Sequence, residues 1–411
     1  MDKKIQGRGW IVCLIASCFF CYELVQLHML NAISSSVMQA LSLSTTDFSA
    51  LCSTYLLADV ICLIPAGILL DRISVKKVIL IALTLCIIGT FGFAFSQTFW
   101  QAAVSHFLSG IGNAFCFLSC MMLARSWFGK KSSFVMSIMI TIGLLGGVLA
   151  QVPFTFLAEH VGWQNTLVLD GLVGCLIWGL NYAFVEENPL EENIKKTAPI
   201  TVFLAQLKPA FSHLQIWKCG FYTGFLNLPL MIISAMMGNL YLTHALHFDA
   251  LEASLITSMI SIGTIVGSPC YGFLSDLFQK TKIWMIVGAA LSLISFGFLI
   301  GIKSSNLFTM MGIFFALGFF SASQVLGYPM IADSAPQDLK GTSMGVAALI
   351  IMGLAFIGQP LTGVLIDQAS SQGVYDFSYA MILFPVGFFI SLLLSFSLRE
   401  KEPELASRTV L

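Results

Sequence analysis

Twelve stretches of mostly apolar residues, each about the 20 residues a helix needs to cross a bilayer's hydrocarbon core, run the length of this chain. They cover residues 10–31, 48–70, 76–96, 99–123, 134–157, 164–185, 217–243, 251–274, 282–302, 307–331, 342–365 and 379–398. Composition agrees with that reading. Residues AVILMFWYC fill 57% of the 411 positions, charged residues 10%, and mean hydropathy is +0.88, whereas a soluble domain is ~45–50% apolar and ~25% charged. The chain is expected to be an all-α membrane protein. A formal net charge of −1 gives no overall attraction to nucleic acid. The basic head Lys3, Lys4 and Arg8 leads into an apolar run that is too long for a secretory signal, contains Glu23 and lacks a small-residue cleavage site, so it reads as a retained first helix.

The only long polar connection lies between the sixth and seventh runs. It divides the chain into an expected first bundle at 1–185, a linker at 186–215, a second bundle at 216–398 and a tail at 399–411. If the twelve helices alternate in direction, 19 of the 20 Lys and Arg residues fall on one side and only Lys303 on the other. Cytoplasmic loops retain positive charge, so both termini are expected in the cytoplasm. Most of the eleven cysteines sit inside apolar runs and read as small buried hydrophobes. The Cys18-Phe-Phe-Cys21 spacing lies mid-helix without the electropositive setting that thiol reactivity needs.

A cluster of glycine, carboxylate and cations occurs twice. Gly67-Ile-Leu-Leu-Asp71-Arg72-Ile-Ser74-Val-Lys76-Lys77 returns 205 positions later as Gly272-Phe-Leu-Ser-Asp276-Leu-Phe-Gln-Lys280-Thr-Lys282, again between two apolar runs. The chain therefore reads as two duplicated halves. The first copy resembles the signature loop of the major facilitator superfamily, with Ser74 for the usual glycine, and the second has Leu277 for the arginine. The resemblance covers essentially the whole chain. It implies two pseudo-symmetric six-helix bundles that rock about a midplane site, as duplicated transporters do. It also implies gating roles for Gly67, Asp71, Arg72, Lys76, Arg125, Gly272, Asp276 and Asp333. In that reading Asp71 pairs with Arg125 and faces the amino end of helix 11, whose dipole favours an anion, while Asp276 and Asp333 form a weaker mirror image.

Charged groups inside a bilayer are costly and usually functional, and few occur here: Glu23, Asp59, His106 and Asp170. Glu23 lies about 13 residues into helix 1, ~20 Å along the axis at 1.5 Å per residue. His106 lies about 7 residues into helix 4 from the opposite side, ~10 Å, so the two reach similar depths and can meet. The family resemblance adds that helices 1, 4, 7 and 10 line the cavity. It adds too that His106-Phe-Leu-Ser109-Gly110-Ile-Gly112 stands where relatives keep an arginine tied to proton coupling. A group that titrates near neutral pH thus replaces a fixed cation, and Glu23 with His106 is expected to couple protons to solute. The rival reading makes His106 a static tie between helices 4 and 1. Asp170 is expected to be structural, and Asp59 either hydrogen-bonds a neighbouring helix, the favoured reading, or lines the helix 2 side of the cavity.

Tyr22, Gln26 and Asn113 in the first half, and Tyr222, Asn227, Gln324, Tyr328 and Gln359 in the second, are the candidate solute contacts; Asn31 and Asn239 join the same polar set. His28, His160, His244 and His247 read as interfacial, and their scatter argues against a metal site. With no deep Lys or Arg to offset an anion, the expected solute is neutral, zwitterionic or cationic, with Glu23 available to an ammonium group. The overall expectation is a monomeric, non-enzymatic secondary transporter without cofactors in a bacterial inner membrane, importing a small amino-acid-like solute with protons. Helix 1 has a faint similarity to phagosomal-type nutrient transporters. The alternatives are export of a drug-like compound or siderophore, and a solute sensor that does not transport.

Overall fold

The computed structural model describes residues 3–186, 209, 211–302, 306–334, 340–370 and 375–400. Within them it leaves aside the side chains of residues 3–6, Asp71, Lys130, Ser133, Asp333 and 340–341. Most of the expected linker and tail therefore lies outside the described residues, as do the side chains of the expected gate residues Asp71 and Asp333.

The described residues contain twelve helices long and apolar enough to span a membrane, matching the twelve runs of the sequence. They are α1 (Gly7–Ala32), α2 (Thr45–Leu70), α3 (Val75–Ala94), α4 (Phe99–Phe128), α5 (Phe134–Val161), α6 (Trp163–Phe184), α7 (Leu214–Ala245), α8 (Ala250–Phe278), α9 (Thr281–Gly301), α10 (Leu307–Ala332), α11 (Thr342–Ala369) and α12 (Ser378–Ser397). Their boundaries carry ordinary stop and start chemistry. Ser44 and Asp47 form a reciprocal capping box at the start of α2, which satisfies amide groups that have no partner in the first turn. Thr98 caps α4 and Asn306 caps α10. Between α5 and α6 the chain reverses through Gly162 at φ +85°, a conformation that disfavours any residue with a Cβ.

In the first half α1 packs against α4, α5 and α6, while α4 also receives α2 and α3. In the second half α7 packs against α10, α11 and α12, and α10 receives α8 and α9. The halves meet along α2 with α11, α5 with α8, and α1 with α7. These are the pairings a two-fold relation between halves produces.

Three helices depart from regular geometry, and the first is α5, interrupted between Leu149 and Val152. α7 contains a π-helical segment, Pro229–Met237, and α10 a 3-10 segment, Ala322–Leu326. A π segment disturbs the regular ladder, and in a membrane its polar groups need partners from neighbouring helices. Two glutamines supply them. Gln359 of α11 donates to the Met231 carbonyl at 2.8 Å, and Gln151 of α5 donates to the Ser234 carbonyl at 2.8 Å.

With an even number of spans, the start of α1 and the end of α12 lie at one end of the molecule, termed here the near end. At the far end the halves are joined by several hydrogen bonds. Toward the near end, Gly67 and Gly272 of the repeated loop have no atom within 4 Å of where a Cβ would stand.

Candidate functional site

Glu23 sits halfway along α1 and is fully buried within the first half, 0% exposed. Its Oε2 accepts from the Tyr55 hydroxyl of α2 at 3.0 Å, and the same hydroxyl lies 2.9 Å from the Glu23 main-chain carbonyl. Cys86 of α3 adjoins the carboxyl group. Oε1 has no hydrogen-bond partner.

The glycines of the His106-to-Gly112 stretch explain how the helices come this close. A Cβ on Gly112 would overlap the Glu23 carboxylate, and one on Gly110 would stand 2.7 Å from the Tyr55 Cα. One glycine makes room for the acid and the other for the backbone of its hydroxyl donor.

His106 is also buried, but it does not hydrogen-bond to Glu23. Its ring lies 5.2 Å from that of Tyr55 and 5.7 Å from that of Phe93, and Nδ1 has no partner. Depth along the helix axes brought the two titratable residues to one level. Rotation about the axes puts the Tyr55 phenol beside both.

A second polar group lies within the same half. The Gln26 amide donates to Asp170 of α6 at 2.5 Å, and the Thr90 hydroxyl of α3 donates to the Gln26 carbonyl at 3.0 Å. The Tyr22 hydroxyl is 3.4 Å from Thr90. Tyr22 and Gln26 therefore face the interior of their own half, toward α3 and α6. Asp59 of α2 is buried, and the side chain of Asn113 hydrogen-bonds to its carboxylate.

In the second half, Tyr222 donates to the Met285 carbonyl at 2.9 Å and adjoins Ser323 at 3.2 Å. The Gln324 carbonyl accepts from Thr223 at 3.1 Å. Gln359 is committed to the π segment, Asn227 is buried and Tyr328 half-buried. Asn113 and Tyr328 are thus the two candidate contacts that retain appreciable exposure. His28, expected at an interface with lipid and water, is instead 1% exposed. Its Nδ1 lies 2.8 Å from the Leu24 carbonyl, and it packs beside Gly147 at the junction of α1 and α5.

Among the expected gate residues, Arg72, Arg125 and Asp276 are exposed. Lys76 lies over the Tyr182 ring at 5.2 Å. Among the described residues the one ion pair is Arg8 with Glu186, and no Lys or Arg is buried. Two peripheral clefts, one of about 430 Å³ beside Trp100 and one of about 320 Å³ beside Tyr379, are not lined by Glu23. Not evident from the sequence were Tyr55, whose hydroxyl donates to Glu23, and Gln151, which has the same spacing from Gln359 as Asn31 has from Asn239, 208 positions. That offset, close to the 205 of the repeated loop, was the signal that could have found Gln151.

Twelve spans in two equivalent halves around a buried polar interior define a membrane carrier of the duplicated type. The chain matches the Major Facilitator Superfamily over residues 15–240 and again over 227–410, so it belongs to that family of multi-pass membrane transporters. It is 24% identical over 379 residues to the lysosomal dipeptide transporter MFSD1 of Homo sapiens, covering 85% of this chain and 77% of that protein. It is 24% identical over 327 residues to a gallate transporter of Pseudomonas putida, covering 72% of each. Among solved structures it resembles the nucleoside transporter NupG, with a TM-score of 0.77, 15% identity and coverage of 96% of this chain and 98% of that one.

Proposed function

We propose that this chain is a proton-coupled uptake transporter for a small neutral or zwitterionic organic solute, working by alternating access. The observation that carries the reading is Glu23, wholly buried with no basic residue beside it and with Tyr55 as its donor. An ionised carboxylate without a cation is far costlier to bury than a carboxylic acid. A proton is therefore the natural companion of Glu23 when the solute-loaded site is closed. Exposure to water on either side allows the proton to leave or arrive. His106 is the second group of this coupling site, acting across the Tyr55 ring.

The solute class follows from the charges. A multiply anionic solute would need a desolvated cation to hold it, and among the described residues none is buried. A zwitterion such as an amino acid or short peptide fits the uncharged polar set better, and the likeness to a dipeptide transporter supports the same class. Asn113 and Tyr328 are the contacts best placed to meet it. The near end carries the basic residues and is the cytoplasmic side, with Asp71, Arg125, Asp276 and Asp333 acting in closure there. The host membrane is a bacterial inner membrane.

The test is uptake into proteoliposomes with the outside made acidic, using a panel of amino acids, dipeptides, hydroxybenzoates, sugar dicarboxylates and nucleosides. Concentrative uptake of a neutral or zwitterionic member, lost in Glu23→Gln, is the expected result. Uptake confined to dicarboxylates removes the solute class, and undiminished proton-driven uptake by the variant removes the coupling site.

A further inference from the structure

Asn31, near the end of α1, and Asn239, near the end of α7, are 208 positions apart and bond to each other across the seam between the halves. The Asn31 amide donates to the Asn239 side-chain carbonyl at 3.0 Å, and the Asn239 main-chain N–H donates back to the Asn31 side-chain carbonyl at 3.0 Å. A contact between equivalent residues of two repeats lies on the axis relating them. Asn239 lies two residues past the end of the π segment, and its N–H is directed across the seam to the other half. Both residues are buried, and Asn31 also donates to Gln151 at 2.9 Å.

At the edge of the same end, Asp367 of α11 accepts from the Thr45 hydroxyl and from the Thr46 main-chain N–H, the latter at 2.8 Å. Thr46 lies in the first turn of α2, where Ser44 already caps Asp47. A carboxylate of one half thus caps a helix of the other, where the helix dipole favours an anion. Between the centre and this edge, Thr155 of α5 meets Ser254 of α8 at 2.5 Å.

We propose that the Asn31–Asn239 pair and the Asp367 cap on α2 together form the far-side gate, closed in this structure, and that both must part for solute to enter from that side. The assignment rests on the transporter fold and is independent of Glu23 and of proton coupling. None of the three residues belongs to the repeated loops, so gating at the far end uses side-chain amides and a helix cap. When the halves part, each exposed donor and acceptor can bond to water, so opening strands no polar group.

The experiment is hydrogen–deuterium exchange on the full-length protein in nanodiscs, comparing wild type with Asp367→Ala and with Asn31→Asp. The second variant keeps the side chain's shape but turns a donor into an acceptor facing two acceptors. Each is expected to speed exchange at residues 45–52 and 238–246 by about tenfold, the order of effect when one or two hydrogen bonds are lost. Exchange at residues 66–80 and 342–352 is expected to slow, because the near end closes as the far end opens. Faster exchange at both ends, or no change at either, overturns the proposal, since plain loss of packing produces the first and a passive contact the second. Asp367→Asn, which keeps one acceptor, is expected to fall between wild type and Asp367→Ala; an effect as large as that of the alanine variant overturns the helix cap. Exchange is read without solute or proton flux, so its outcome stands apart from whether Glu23 couples protons.

Discussion

The two halves share a fold and a repeat but divide their chemistry. The first half buries three carboxyl groups, Glu23, Asp59 and Asp170, and among its described spans α1 is regular from end to end. The second half, over its described residues, buries no Asp or Glu and instead breaks the regularity of α7 and α10. α1 and α7 are equivalents in the repeat and meet at Asn31 and Asn239, yet one holds an acid and the other a π segment stitched by glutamines. Duplication supplied one scaffold, and the copies have parted: buried carboxyl groups gathered in the first half, whose one interrupted span is α5, and the π and 3-10 segments in the second.

The sharpest way to break this comparison is to remove the acid. Glu23→Gln should abolish accumulation that otherwise reaches about tenfold per unit of imposed pH gradient, the ~1.36 kcal/mol that one proton carries across one unit. Solute equilibration without a gradient should persist, and a tracer-exchange assay beside the uptake assay reads both.

Next in size is the close fit around the acid. Gly112→Ala forces a methyl into the space of the Glu23 carboxylate and should lower stability by about 1–3 kcal/mol, as overpacking does. Gly345→Ala in α11, with open space beside it, should change stability by less than about 0.5 kcal/mol. Thermal unfolding in detergent ranks the two, and equal losses would mean the first half is no more tightly built.

The π segment offers a smaller effect. Gln151→Leu and Gln359→Leu should each cost about 1–2 kcal/mol by leaving a buried carbonyl without its donor, and each should raise amide exchange across residues 229–237. Similar losses from the two would indicate that the equivalent glutamines share the task evenly.

The smallest expected change comes from Asp170→Asn. An amide can still accept from Gln26, so stability should move by under about 1 kcal/mol and proton-driven uptake should not move at all. Loss of coupling in that variant would spread the proton site across both polar groups of the first half.

The spans were legible because each apolar run is long and the repeated loop sets the register between halves. The irregular segments were not. Pro229–Met237 reads Pro-Leu-Met-Ile-Ile-Ser-Ala-Met-Met, a sequence that suits an ordinary buried helix. Its form is supported by Gln151 and Gln359, which come from distant parts of the chain. Glu23 could be found as a lone acid at mid-depth, but depth does not give azimuth. The face shared by Tyr22, Glu23 and Gln26 looked like one wall of a central cavity, and the structure turns it toward α2, α3 and α6. The same limit hid Tyr55, whose hydroxyl is one of many apolar-flanked groups until α2 is placed against α1.

Glu23, wholly buried in the first half, has an electrical consequence in the cycle proposed above. The net charge moved per turn is that of the solute and its proton together, one for an uncharged solute, whatever countercharges the protein itself holds. Membrane voltage would then act on it directly, contributing about 2.3 kcal/mol per 100 mV, so a polarised cell could fill this carrier even where the two sides share one acidity.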